Sequence, residues 1–119
     1  IRVLASGIEQ VTGTKLEVCF ERSTPSVYND EVLTKLVAEV MVQLLGAENV
    51  VVLPRPSMGS EDFAIYLEHL PGTMFRLGAA GDDGPMPGLH TPTFDIDERC
   101  LAIGAKILAC SVLQWAKPK

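Results

Sequence analysis

The spacing of apolar residues changes along this 119-residue chain, and this constrains its fold more than any other feature. In KLEVCFER, residues 15–22, Leu16, Val18 and Phe20 alternate with more polar neighbours, which is the period of a half-buried strand. After the connector STPSVYND, the apolar residues recur every three or four positions, at Val32, Leu33, Leu36, Val37, Val40, Met41, Leu44 and Leu45. That spacing predicts an amphipathic helix with its N-cap at Asn29 and Asp30 and its end at Gly46.

The remaining segments continue this alternation of strands and helices. NVVVL and GTMFRLGAAG read as further strands, a short helix follows Ser60, and a long helix runs from about Asp97 to Ala116. The first 15 residues read as the end of a helix or a loop, and DDGPMPG as a turn-rich loop. The order β, α, β, α, β, α predicts an α/β layer structure. The half-polar first strand and its proline connector place a domain boundary near residues 25–29.

Charge and cysteine usage exclude several classes of protein. The net charge of -5 argues against nucleic-acid binding, which needs clustered Lys and Arg. No apolar run approaches the roughly 20 residues of a membrane-spanning helix, so we expect no membrane partner. Cys19, Cys100 and Cys110 form no CxxC pattern, which favours buried, reduced thiols and a cytoplasmic location.

The segment MGSEDF carries the first candidate site. Ser60 is a favourable N-cap, and Glu61 and Asp62 suit the first turn of a helix, where the helix dipole favours negative charge. The alternative is functional: Gly59 lets a substrate approach the backbone, and the acidic residues line the site.

His90 is the second candidate. It follows a loop rich in Gly and Pro, and a scaffold often presents ligands on such loops. Imidazole is a common metal ligand, although a lone histidine is more often structural. His69 lies near the end of a helix, where the dipole alone explains it. In FDID, Asp95 and Asp97 match no calcium loop, and one of them is better explained as a helix N-cap.

Taken together, MGSEDFAIYLEHLPGTMFRLG and GLHTPTFDIDERCLAIGAKILA resemble the C-terminal part of a metal-dependent amidohydrolase family. This family contains hippurate hydrolases, N-acyl-amino-acid deacylases and IAA-amino acid hydrolases, and is more distantly related to aminoacylase and carboxypeptidase G-like metallopeptidases. TPSVYNDEVLTKLVAEVMVQLLG also resembles the segment with which that family leaves its lid domain. The resemblance implies a C-terminal fragment: residues 1–26 would end an α+β lid or dimerisation domain, and residues 27–119 would close a zinc-peptidase-like three-layer α/β catalytic domain.

The resemblance also implies roles for particular residues. His90 matches the family's last histidine, a metal ligand, and Gly59, Ser60 and Glu61 match the loop beside the substrate. The parent would hold two divalent ions (Zn, Mn, Co or Ni), which activate water for hydrolysis of N-acyl amino acids or related conjugates. The general-base glutamate and the other ligands would lie upstream, so no catalytic residue is assigned here. The chain alone is expected to be inactive and to retain no metal.

A different class of function stays open at this stage. The same fold could serve as a non-catalytic oligomerisation or interaction module, in which the strand at residues 15–22 pairs with a partner. Either reading leaves apolar surface uncovered, so we expect the chain to form a homo-oligomer.

Overall fold

A computed structural model describes residues 1–21, 23–82 and 88–118. Four helices follow one another along the chain: α1 (Arg2–Thr12), α2 (Glu31–Leu45), α3 (Phe63–Leu67) and α4 (Arg99–Trp115). A 3₁₀ turn at Ala47–Asn49 follows α2. The core of the predicted DDGPMPG loop, residues 83–87, lies outside the described residues.

The predicted helix at residues 31–45 is confirmed. It begins where Asp30 Oδ1 accepts a hydrogen bond from the Leu33 amide at 2.9 Å, and it ends at Gly46, whose φ is 88°. This φ is readily adopted only by residues without a Cβ, so glycine stops the helix here. Asp30 alone acts as the cap, because the Asn29 side chain is bonded elsewhere.

The long C-terminal helix is also confirmed, as α4. Its N-cap residue is Glu98, so the N-cap predicted at Asp95 or Asp97 is wrong. Asp97, one residue before the cap, accepts from the Arg99 amide through Oδ1 at 2.9 Å. α4 packs on α2, and this pair supplies most of the core. Val40 of α2 and Cys100, Ile107 and Ser111 of α4 are buried.

The N-terminal segment differs from its prediction. Residues read as a helix end or a loop form α1, which closes at Gly13 with φ 69°. The chain then turns back, so that the Leu16 amide donates to Glu9 Oε1 at 2.7 Å and Arg2 lies 5.5 Å from the Phe20 ring centroid. α1 makes no packing contact with the other described helices, and the boundary at residue 26 stays a prediction.

The three predicted strands are absent from the described residues. A strand needs a neighbouring strand to pair its amides and carbonyls in a ladder. Within the described chain these segments have only isolated bonds of this kind, such as those from the Asp30 amide to Gly72 O and from the Asp97 amide to Ala79 O. Four apolar residues, Val40, Ala64, Cys100 and Ile107, are buried, and the radius of gyration is 21.1 Å. A compact domain of this length would have a radius of roughly 13 to 14 Å. The α/β layering therefore remains a prediction.

Two further expectations meet the structure here. Cys19 is exposed, so the expectation of buried thiols is wrong for it, whereas Cys100 is buried and Cys110 is partly covered. None of the helices in the described ranges is long and apolar enough to cross a membrane.

Candidate functional site

The segment Gly59–Asp62 lies on the surface and leads directly into α3. All four residues are exposed, and the Gly59 amide donates to Ser57 Oγ at 3.3 Å. The Glu61 carboxylate accepts from the Phe63 amide at 3.1 Å, which fixes the entry to the helix. Two carboxylates next to an accessible glycine backbone would repel an anionic group and leave room for a neutral or cationic one.

The predicted N-cap at Ser60 is wrong. The α3 helix begins at Phe63, its N-cap is Asp62, and the Asp62 side chain makes no capping bond. Instead, the carboxylate of Glu61, two residues before the helix, accepts a hydrogen bond from the Phe63 amide and acts as the cap. With only five residues, α3 is held in place by its neighbours more than by its own hydrogen bonds.

The chain that follows α3 returns to contact it at Gly72. A Cβ at this position would stand 2.6 Å from Leu67 Cδ2 and 3.4 Å from Phe63 Cζ. The backbone of Gly72 therefore lies directly against both side chains, and a larger residue here would require the end of the Leu67 side chain to move.

Asn29 joins the same returning segment to the start of α2. Its Nδ2 donates to Met74 O at 2.9 Å, and its Oδ1 accepts from the Met74 amide at 2.9 Å. The Asp30 amide donates to Gly72 O at 2.8 Å, and the hydroxyls of Thr34 and Thr73 lie 2.9 Å apart. Asn29 is thus a tertiary contact rather than the helix cap predicted for it.

His90 occupies the tightest turn of its loop. Its φ is 64°, and it is the one described non-glycine residue with a positive φ. The turn is closed by Thr91 Oγ1, which donates to Gly88 O at 2.8 Å. The imidazole is exposed. A non-glycine residue in this left-handed conformation carries a backbone cost of order 1 kcal/mol, and such residues cluster at functional sites.

An ion-pair network closes the far end of the His90 loop. Arg99 donates from Nε to Asp97 Oδ2 at 2.7 Å and from Nη2 to Asp82 Oδ2 at 3.0 Å. The side-chain bond from Arg99, helped by its backbone amide, holds the pKa of Asp97 below its usual value. Both carboxylates raise the pKa of Arg99 in return. The Asp97 amide also donates to Ala79 O at 2.9 Å, so the loop is anchored where α4 begins.

The described residues do not by themselves form a metal centre. They contain no group of three His, Cys, Asp or Glu side chains placed to hold an ion. In the described part of the chain, no hydrogen bond or ion pair joins Gly59–Asp62 to His90. A cleft of about 280 Å³ lies between α1 and residues 16–18, and none of the candidate residues lines it.

Sequence reasoning missed two of these contacts. Asn29 stood next to a good cap and was grouped with it, although an amide that both donates and accepts can pair with a distant backbone. The Arg99 pairing had a local signal, an acid two residues earlier in FDIDER, but the Asp82 contact depends on the course of the whole loop.

Known proteins are similar to this chain over 73% to 97% of its length. A protein of Synechocystis sp., provisionally assigned as a hydrolase, is 40% identical over 116 residues, which are 97% of this chain and 30% of that protein. An N-acetyl-L-cysteine deacetylase of Bacillus subtilis is 38% identical over 87 residues, 73% of this chain and 19% of the enzyme. An IAA-amino acid hydrolase of Arabidopsis thaliana is 36% identical over 92 residues, which are 76% of this chain and 21% of that enzyme.

A solved structure shows the same arrangement of the backbone. It comes from methicillin-resistant Staphylococcus aureus, is provisionally assigned as an aminohydrolase, and has a TM-score of 0.74 at 30% identity. The match covers 98% of this chain and 30% of that one. The family model described as Peptidase family M20/M25/M40 matches residues 4–114. That match spans both candidate segments, and the chain belongs to the Peptidase family M20/M25/M40.

Proposed function

We propose that the complete protein is a hydrolase that cleaves the amide bond of an N-acyl amino acid or a related conjugate. The chain spans about 30% of the length of the first relatives it matches, so this activity concerns more residues than these 119. Two relatives are named for such reactions, the N-acetyl-L-cysteine deacetylase and the IAA-amino acid hydrolase. We further propose that residues 1–26 belong to a lid domain and residues 27–119 to the end of the catalytic domain.

The observation that carries this proposal is the conformation of His90 in a chain of this family. The His90 backbone lies at φ 64° in a turn closed by Thr91, and its side chain is exposed. The sequence around His90 matches the family's last histidine, and we assign His90 as a metal ligand. Gly59, Ser60 and Glu61 are assigned to the substrate side of the site.

His90 is a single ligand, whereas a catalytic metal centre uses three or more from the protein. The donor set of the described residues is therefore too small for the two divalent ions that the resemblance implies. We derive no catalytic step through them. The contribution assigned to this chain is one imidazole nitrogen and an accessible backbone at Gly59. The adjoining carboxylates of Glu61 and Asp62 would repel the carboxylate of an N-acyl amino acid, so we assign this segment to the neutral acyl-amide part of the substrate.

The test compares the two histidines of the chain in the complete gene product. We expect His90→Ala to lower bound metal and to reduce hydrolysis of N-acetyl-L-cysteine and of indole-3-acetyl amino acids by at least about 100-fold. His69→Ala is the matched control, since His69 lies just after α3 and should leave both quantities unchanged. Equal effects of the two substitutions would remove His90 from the metal site.

One observation favours the alternative, an oligomerisation module. α1 exposes Val3, Leu4 and Val11 at 84%, 71% and 87%, and no described helix covers them. Apolar side chains on one isolated helix are suited to a second copy of the chain. The same experiment decides: a complete protein without bound metal or hydrolysis, but oligomeric in light scattering, supports the module.

A further inference from the structure

We infer that Asn29 is a positioning residue for the Gly59–Glu61 segment. Its carboxamide holds the chain at residues 72–74, and that chain in turn holds α3 and the segment before it. The inference rests on the proposed function in one respect, the assignment of Gly59–Glu61 to the substrate side.

The first contact is the pairing of the Asn29 side chain with a backbone. The carboxamide donates to the carbonyl and accepts from the amide of one residue, Met74, at 2.9 Å each. The planar carboxamide of asparagine can make both bonds at once, because it carries an N–H donor and a carbonyl acceptor side by side. The contact is partly buried, so water competes for it less than at the surface.

The second contact aligns the two chains along their length. The Asp30 amide donates to Gly72 O, two residues before Met74, and Thr34 pairs with Thr73 through their hydroxyls. Three successive residues are therefore fixed against the start of α2, much as a short strand is fixed by its neighbour.

The third contact carries this constraint into α3. Gly72 lies so close to Leu67 and Phe63 that a Cβ would collide with the first at 2.6 Å. A displacement of the Gly72 backbone therefore moves the contact surface of α3. Phe63 is also the residue whose amide binds Glu61, which completes a continuous path from Asn29 to the candidate site.

Such a path matters for hydrolysis because positioning is sensitive to small displacements. A misplacement of roughly 1 Å can cost about 100-fold in rate, even when the substitution lies far from the reacting atoms. Both described hydrogen bonds of the Asn29 carboxamide go to the Met74 backbone, so we assign Asn29 a positioning role and no contact with the reacting atoms.

Four variants of the complete gene product, one of them a control, test the inference. Asn29→Ala removes both bonds, and Asn29→Asp keeps the shape but sets an oxygen against Met74 O. The matched control is Asn49→Asp, because Asn49 Nδ2 also donates to a backbone carbonyl, that of Leu45 at 2.8 Å, but within one turn of its own helix end. Thr73→Val is a milder change at the same junction and serves if the Asn29 variants do not fold.

The measurements are amide hydrogen exchange by mass spectrometry and steady-state kinetics with N-acetyl-L-cysteine. For both Asn29 variants, we expect exchange about tenfold faster in peptides covering 57–62 and 72–74, with α4 unchanged. We also expect kcat/KM to fall by at least about tenfold at unchanged metal content. The protection lost in Asn29→Asp, measured as exchange relative to the intrinsic rate at each pH, should be regained as the pH falls, because the introduced carboxylate then gains a proton to donate to Met74 O. Asn49→Asp should leave residues 57–62 and kcat/KM unchanged.

Two results would overturn the inference: faster exchange at 72–74 with residues 57–62 unchanged, or equal acceleration throughout α4, which is a general loss of stability. Kinetics unchanged by the Asn29 variants would overturn it as well. If the wild-type protein hydrolyses no N-acyl amino acid, the proposed function fails, but hydrogen exchange still decides whether Asn29 positions the segment.

Discussion

Asp30 provides the sharpest test of how this chain builds its main helix. Its Oδ1 accepts a hydrogen bond from the Leu33 amide at 2.9 Å. Its backbone amide donates to Gly72 O, and its backbone carbonyl accepts from the Thr34 hydroxyl. Replacing the side chain therefore removes the cap without removing the backbone contacts. We expect Asp30→Ala to destabilise the first turn of α2.

The magnitude follows from two terms. Loss of an N-cap oxygen costs about 1 kcal/mol, and loss of a negative charge at a helix N-terminus costs a further 0.3 to 1 kcal/mol, roughly. Asp30→Ala should therefore lower the stability of the first turn of α2 by about 1 to 2 kcal/mol. This corresponds to exchange of the Leu33 amide that is roughly five- to thirtyfold faster. Asp30→Ser retains a capping oxygen and should cost only the charge term.

Native-state hydrogen exchange in the complete gene product measures these effects locally. Asp62→Ala is the control, because Asp62 is also an N-cap residue but makes no capping bond, and its loss should cost under about 0.5 kcal/mol. If Asp30→Ser accelerates the Leu33 amide as much as Asp30→Ala does, the capping bond contributes nothing and the reasoning is refuted.

Two further predictions concern the His90 loop. Because pairing with Arg99 lowers the pKa of Asp97, it stabilises the fold above the unfolded carboxyl pKa of about 3.9, and this stabilisation is lost as pH falls through the folded value. Arg99→Gln should raise the Asp97 pKa in an NMR titration, and the free energy of unfolding should then fall less steeply as the pH is lowered. An unchanged Asp97 titration would exclude the ion pair. At φ 64°, the backbone accepts glycine more readily than alanine. The His90→Gly variant should therefore have a free energy of unfolding about 1 kcal/mol higher than the His90→Ala variant. Equal stability of the two variants would contradict the left-handed turn.

The helices were predictable because their signals are local. For α2, the period of the apolar residues, the acid at Asp30 and the glycine at Gly46 all lie within 17 residues and agree with one another. α4 was found for the same reason. For α1, the sequence left a helix end and a loop both open, because Gly7 lowers helix propensity although Val3, Leu4, Ile8 and Val11 keep a helical spacing.

The strands show the opposite dependence. KLEVCFER alternates as a strand should, but alternation specifies only which faces would be apolar or polar. A ladder also requires a neighbouring strand, and the described residues supply none. The absence of strands here thus reflects missing partners and not a misread period.

The candidate residues could be selected from the sequence, but their geometry could not. Gly59–Asp62 and His90 stood out by composition and by the motif they share with a family. Three features depend on where distant segments come to lie. They are the conformation of His90, the binding of the first α3 amide by Glu61 instead of Ser60, and the pairing of Asn29 with Met74. No local pattern encodes these positions.

The contact between Asn29 and Met74 also has a consequence for the order of folding. It joins residues 45 positions apart, and closing a loop of that length costs about 3 kcal/mol of chain entropy beyond the constant term. Two hydrogen bonds do not offset this until the loop has other reasons to be closed. α2 can therefore form early around its own cap, while the segment bearing Gly59 is brought to its final place late, after the 72–74 chain has docked.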